Sequence, residues 1–283
     1  MRAILIRMRP QKLILLAGLL ALLPCAAETL RVVTFNVRMP SPQDGENVWE
    51  KRRDLFAETV KKYAPDVMGT QELFKRQGDD IVERLPEYAW FGVSRRGNSE
   101  DEHMGVFYRK SALKLEDSGN FWLSETPDVA GSSAWNMSLP RMATWGVFRT
   151  RAGLRFLYVN THFAHRREDG EARLKSAQVI TKWLAARKER LPVVLTGDFN
   201  TDAGTAPYQE LTGVLADAWK AAAEKTGPEG TFHGFKGTPG TARIDWILFG
   251  APWKVTQAKV IDDKQQPLYP SDHFGVLAVF ETR

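Results

Sequence analysis

The chain of 283 residues carries 39 lysines and arginines against 34 acids, a net charge of +5. Four of the basic residues and none of the acids lie before Glu28, which leaves the rest near +1 and excludes the strong basic surplus of an obligate binder of long nucleic acid. Cys25 is the only cysteine, so the remaining 256 or so residues hold no disulfide and no thiolate site; that length suffices for one large domain resting on its own core.

The N-terminus reads as a targeting segment. Arg2, Arg7, Arg9 and Lys12 precede the uncharged run Leu13–Leu23, which is short for a bilayer span, and small residues stand at Cys25 and Ala27 before Glu28. Residues 1–27 are therefore expected to be a signal peptide cleaved near Ala27, giving a secreted or periplasmic protein. A retained anchor is the alternative, and a lipoprotein is disfavoured by Pro24 in front of Cys25. No later segment suggests membrane insertion, and a monomer is expected.

Beyond residue 28, apolar strand-like runs alternate with amphipathic helical stretches, the pattern of a layered α/β domain. "LRVVTFNV" (30–37) predicts a first strand. Trp49, Phe56, Val60 and Tyr63 predict a helix that Pro65 stops. Strands follow at 66–73, 104–109, 141–150 and 155–163, and a helix is predicted over 170–190. "LPVVLTGDFN" (191–200), "RIDWILF" (243–249) and "HFGVLAVF" (273–280) complete the strands. The segments 38–47, 94–103, 124–140, 164–170 and 225–242 predict loops.

The strands share one anomaly, a polar residue at the end of an apolar run. Side chains two apart lie on one face of a strand, so Asn160 pairs with His162, and Asp198 with Asn200. Asp245 sits between Ile244 and Trp246, and an unpaired carboxylate there would be costly to bury. His273, after Asp272, offers it a partner. Taken singly, Asn36 reads as a turn amide, His162 as a core histidine, Glu72 as an exposed strand end and Asp198 as a cap. Their joint occurrence on six strands points to a site.

The stretches "TFNVR", "TQE", "RMATW", "NTHF", "TGDFN", "RIDWI" and "SDHFGV", spanning residues 34 to 276, resemble the endonuclease/exonuclease/phosphatase superfamily of DNase I-like metal-dependent phosphoesterases. "NFWLSETPD", "AWNMSLPRMATW" and "ARLKSAQVI" resemble a bacterial, often secreted branch of poorly defined substrate, from which Asn136 and Ala164 depart. The resemblance implies a four-layer α/β sandwich, with two packed mixed sheets flanked by helices, and hydrolysis of a phosphodiester or phosphomonoester.

It also implies roles. Glu72, Asn36 and Asp272 would hold Mg²⁺ or Mn²⁺, hard cations suited to oxygen ligands. Asp198 would orient or deprotonate the attacking water, and Asn200 would hold it or a phosphate oxygen. His273 would contact the phosphate, held by Asp245, and His162 would stabilise the phosphate or protonate the leaving group, assisted by Asn160. Arg141 is the expected guanidinium contact, and His233 and His165 are further candidates for the substrate pocket. Of the nine tryptophans, Trp122 or Trp135 is expected to line a cleft. The substrate could be a nucleic acid, a sugar or inositol phosphate, or a phospholipid headgroup. A nuclease acting on short or single strands is one alternative, and a non-catalytic module binding a phosphorylated ligand is another.

Overall fold

The computed structural model describes residues 28–250 and 252–281, so the signal-peptide segment lies outside them. Thirteen strands run in chain order: β1 Thr29–Asn36, β2 Val67–Gln71, β3 Tyr88–Phe91, β4 Val106–Arg109, β5 Leu113–Trp122, β6 Met142–Thr150, β7 Arg155–His162, β8 Val193–Asp198, β9 Ala216–Asp217, β10 Glu224–Thr226, β11 Asp245–Phe249, β12 Lys254–Ile261 and β13 Gly275–Glu281. The helices are α1 Trp49–Tyr63, α2 Lys75–Arg84, α3 Gly170–Ala186, α4 Ala206–Thr212 and the short α5 Ala218–Ala221.

The strands form two mixed sheets, one in the order β10-β12-β13-β1-β2-β4-β3 and the other β5-β6-β7-β8-β11-β9. Between them lies an apolar layer that includes Val32, Val67, Phe148, Phe156, Ile247 and Phe280. Outside the first sheet, Trp49, Phe56 and Val60 of α1 and Ile81 of α2 pack on Val33, Phe35 and Met68. Outside the second, Ile180 of α3 and Leu211 of α4 pack on Leu157, Leu195 and Trp246. This is the four-layer sandwich implied by the resemblance. It explains why β1 and β8 read as nearly continuous apolar runs, since both faces of each are covered.

Helix α1 ends at Tyr63, two residues before Pro65. Helix α3 stops at Ala186, short of the predicted 190, because Arg187 turns extended and lays its guanidinium over Trp145 and Trp183, 4.6 and 4.8 Å from the ring centres. Among the described residues no helix is long and apolar enough to cross a membrane.

Candidate active site

Sheet polarity gathers the polar strand ends at one rim. β1 runs parallel to β2, and β7 parallel to β8, while β11 and β13 run antiparallel to β8 and β1. The C-terminal ends of four strands therefore meet the N-terminal starts of two. In register, Asp198 stands between His162 on β7 and Asp245 on β11. Three of these ends turn sharply through left-handed, non-glycine residues: Arg38 (φ 56°), Glu72 (φ 58°) and Asn200 (φ 50°). Such conformations are strained and persist only where the surroundings hold them. The resulting cleft of about 520 Å³ is lined by Glu72, Arg141, His162, Asp198, Asn200, Asp272 and His273, among others.

Asp198 is the hub, with its side chain buried. Its Oδ2 accepts from Asn36 Nδ2 at 3.0 Å and lies 3.5 Å from His162 Nε2 and 3.8 Å from His273 Nε2. Its Oδ1 accepts from the backbone N–H of Asn200 at 2.9 Å. Burial, reinforced by the nearby Asp245 carboxylate, pushes Asp198 up to about 7. Beside it, His273 Nδ1 lies 3.0 Å from Asp245 Oδ2, so Asp245 has the buried partner that the sequence demanded. Burial opposes a charge on His273, yet Asp245 and Asp198 outweigh it and raise the imidazole to about 10.

A second histidine has the opposite electrostatics. Burial, then the Arg141 guanidinium and His273, hold His162 well below the usual imidazole range. Its Nδ1 has no hydrogen-bond partner and faces Glu102 Oε2 at 3.8 Å. Burial raises Glu102 despite Arg95, whose Nη1 sits 2.9 Å away. Arg141 is buried, with Nη2 3.0 Å from His165 Nδ1 and Nη1 unpartnered. An orphaned guanidinium donor in a cleft is an anion site in wait.

Glu102, Arg95, Arg38 and the exposed Phe232 belong to this cleft and were not singled out in the sequence. The first two lie in the loop "RRGNSEDEH", where charge alternates without an apolar frame, so nothing local marked one acid as buried. Arg38 carried a faint signal, as the residue that ends "TFNVR".

Three expected residues sit differently from their assigned contacts. Asn160 lies beneath the cleft and is wholly buried; it donates to the carbonyls of Thr70 and Gly105 and accepts from Gln71 Nε2 at 2.7 Å, joining the two sheets. His233 faces away, stacked on Phe274 with 4.1 Å between ring centres, because Phe232 pairs with His273 and the alternation sends the next side chain inward. Asn36 donates Nδ2 to Glu72 and Asp198 and accepts the N–H of Arg38 on Oδ1, so it spaces two carboxylates rather than presenting a free oxygen. Trp135 lines a separate groove against α3, whereas Trp122 is buried with Nε1 on the carbonyl of Arg95.

Two groups could hold a cation. Ligand atoms of Asp198, Asp245 and His273 lie within 4.8 Å of one another, but His273 protonated to about 10 already supplies that cluster with a positive charge. Glu72 and Asp272 fit a hard cation better. Both are oxygen donors at the cleft wall, burial together with the Glu72 carboxylate raises Asp272, and Arg38 stands 3.8 and 3.9 Å from them.

A family model described as "Endonuclease/Exonuclease/phosphatase family" matches residues 33–273. Among solved structures, an endonuclease/exonuclease/phosphatase from Bacteroides vulgatus is 36% identical with TM-score 0.85, covering 90% of this chain and 100% of that one. A mannosyl-6-phosphatase from Bacteroides thetaiotaomicron is 34% identical with TM-score 0.84, covering 89% and 99%. The uncharacterized protein R895 of Acanthamoeba polyphaga mimivirus is 22% identical over 249 residues, and the chain spans only 36% of that relative's length.

Proposed function

Because the chain belongs to the endonuclease/exonuclease/phosphatase family, whose members hydrolyse phosphoester bonds and generally use a divalent metal, we propose that it is a Mg²⁺- or Mn²⁺-dependent phosphomonoesterase acting on a phosphorylated sugar. The observation that carries the reading is the opposed pair of imidazoles about Asp198, one held protonated and one held neutral. Groups whose environments push their proton affinities apart are suited to separate acid and base tasks. The 34% identity to a mannosyl-6-phosphatase supports a sugar phosphate, and a cleft of about 520 Å³ suits a molecule of that size.

In this reading Glu72 and Asp272 would hold the metal, which would supply neutralisation of phosphoryl charge. Asp198 orients a water and takes its proton, and Asn200 fixes the carboxylate through its backbone N–H. The His273 imidazolium, aligned by Asp245, donates to a phosphoryl oxygen. The unpartnered Nη1 of Arg141 donates to another. His162 stands over the leaving oxygen; an arriving phosphate dianion favours its protonation, and the Glu102 carboxylate steadies the cation. The basic, apolar and small-residue order of residues 2–27 supports export, which N-terminal sequencing of the processed protein would test by finding Glu28 first.

The deciding experiment is a panel of mannose 6-phosphate, nitrophenyl phosphate, bis-nitrophenyl phosphate, a single-stranded oligonucleotide and phospholipid vesicles, each with Mg²⁺, Mn²⁺ or EDTA. Monoesters should be turned over fastest, and EDTA, Asp198→Ala and His273→Ala should each abolish turnover. Full activity in either variant would remove the site assignment. Preference for the oligonucleotide would instead make the protein a nuclease of short strands.

A further inference from the structure

We propose that Arg38, oriented by Asp44, binds the second charge of a phosphomonoester dianion and so selects monoesters over diesters. This deepens the phosphomonoesterase reading and rests on it. A diester presents one negative charge and two esterified oxygens. A monoester above neutral pH presents two charges and three free oxygens, and so calls for one more fixed cation in the cleft.

Arg38 meets that need from the side opposite Arg141. It follows β1 of the first sheet, while Arg141 precedes β6 of the second, and both line the one cleft. Asp44 accepts from its Nε at 3.0 Å and from its Nη2 at 2.9 Å, using two of the five guanidinium N–H groups. Nη1 makes no hydrogen bond: the nearest carboxylate oxygen to it, on Glu72, is 3.8 Å away, beyond hydrogen-bond reach. The head is thus aimed by one carboxylate and left with free donors at the edge of the metal-binding acids.

The backbone gives the independent observation. Arg38 is a non-glycine residue in the left-handed region, φ 56°. Its N–H is held by Asn36 Oδ1 at 2.9 Å, and its carbonyl accepts from Arg52 Nη2 and Gln77 Nε2, both at 2.9 Å. Arg52 and Gln77 are completely buried. Two buried side chains from α1 and α2 therefore converge to hold one strained residue whose own side chain is partly exposed in the cleft. A residue needed only as a surface counter-ion requires no such enforcement.

The test is calorimetric titration of the Mg²⁺-loaded protein with orthophosphate and, separately, with dimethyl phosphate at pH 8. Arg38→Gln should weaken orthophosphate about tenfold to a hundredfold, the loss of charge-assisted hydrogen bonds. It should weaken dimethyl phosphate about fivefold at most, as a screened charge would. Asp44→Asn should give a smaller loss for orthophosphate in the same direction, since it frees the head without removing it. Titration of both variants with Mg²⁺ alone should show affinity undiminished, because a cation beside Glu72 and Asp272 has been removed or loosened. Equal losses for the two anions, or a fall in Mg²⁺ affinity alongside them, would overturn the proposal. A wild-type protein that hydrolyses no monoester would sink the functional reading, while the ratio of the two anion affinities would still decide the role of Arg38.

Discussion

Replacing Asp245 with asparagine should move the alkaline limit of activity downward. The exchange keeps shape and removes one charge, 3.0 Å from His273 Nδ1, with the carboxylate 1% exposed. A hydrogen bond to a charged group contributes about 1.5–3 kcal/mol, which corresponds to roughly one to two pH units. His273, held at about 10 in the parent, should therefore titrate roughly one to two units lower in the variant. His273 works as a cation, so its contribution is present below its pKa and lost as pH rises through it. Asp198 works as an anion, present above its pKa, and it also loses the repulsion of Asp245, so its pKa falls from about 7. Both limbs of the kcat/KM profile should shift to lower pH in Asp245→Asn, with the apparent values belonging to the coupled set. The assay is the pH dependence of kcat/KM on nitrophenyl phosphate at saturating Mg²⁺, with the imidazole resonances followed by NMR. An alkaline limb that coincides with the wild type would refute the argument that Asp245 sets the charge of His273.

Glu102→Gln should lower kcat about tenfold to a hundredfold with little change in KM, because the carboxylate faces His162 Nδ1 at 3.8 Å and acts when the imidazole becomes charged; steady-state kinetics read this directly, and a pure KM effect would count against it. Gly197→Ala should destabilise the protein by about 1–3 kcal/mol, since its Cβ would meet the carbonyl oxygen of Thr161 at 2.6 Å; urea unfolding measures it, and an unchanged midpoint would show that β7 and β8 can part freely. Removing divalent metal with EDTA should abolish turnover without unfolding the domain, as the apolar layers that form the core are built from side chains other than Glu72 and Asp272. Circular dichroism beside the activity assay separates the two, and Mg²⁺ or Mn²⁺ should restore the rate.

What was legible in the sequence is what hydrophobic periodicity and burial enforce. β1, β7, β8, β11 and α1 emerged near their predicted places because the strands carry compact apolar runs and α1 carries its apolar residues at helical spacing up to the stop at Pro65. β5 was missed for a physical reason: as an edge strand, Leu113–Trp122 carries Lys114, Glu116 and Asp117, with a register shift between Leu115 and Asp117, features that blunt an edge and erase alternation. α2 was missed because only Gln77, Gly78 and Ile81 of its ten residues are buried. Gly197 lets β7 approach, since a Cβ there would meet the Thr161 carbonyl, while Phe199 stacks on Trp246 at 4.3 Å and fixes the end of β8 from below.

Asn160 shows where period-two reasoning stops. It shares a face with His162, as predicted, yet two residues along a strand are about 6–7 Å. That step separates a side chain in the cleft from one sealed in the layer between the sheets. At that depth the amide joins Gln71, Thr196 and the carbonyls of Thr70 and Gly105, while Thr196 also meets Tyr158 at 2.8 Å. A polar network inside an apolar sandwich, its members bonded to one another save for the unpartnered Gln71 Oε1, restricts how the sheets can slide. The site needs that restriction, because Glu72 and Asp272 extend from one sheet while His162, Asp198 and Asp245 belong to the other. Asn160→Ala should then loosen the relation between the sheets, lowering kcat and thermal stability together. Asn160→Asp, by burying a charge beside Gln71, should damage stability more than activity per folded molecule. Differential scanning calorimetry and active-site-normalised kinetics distinguish these outcomes. A variant with unaltered stability and lost activity would return Asn160 to the cleft.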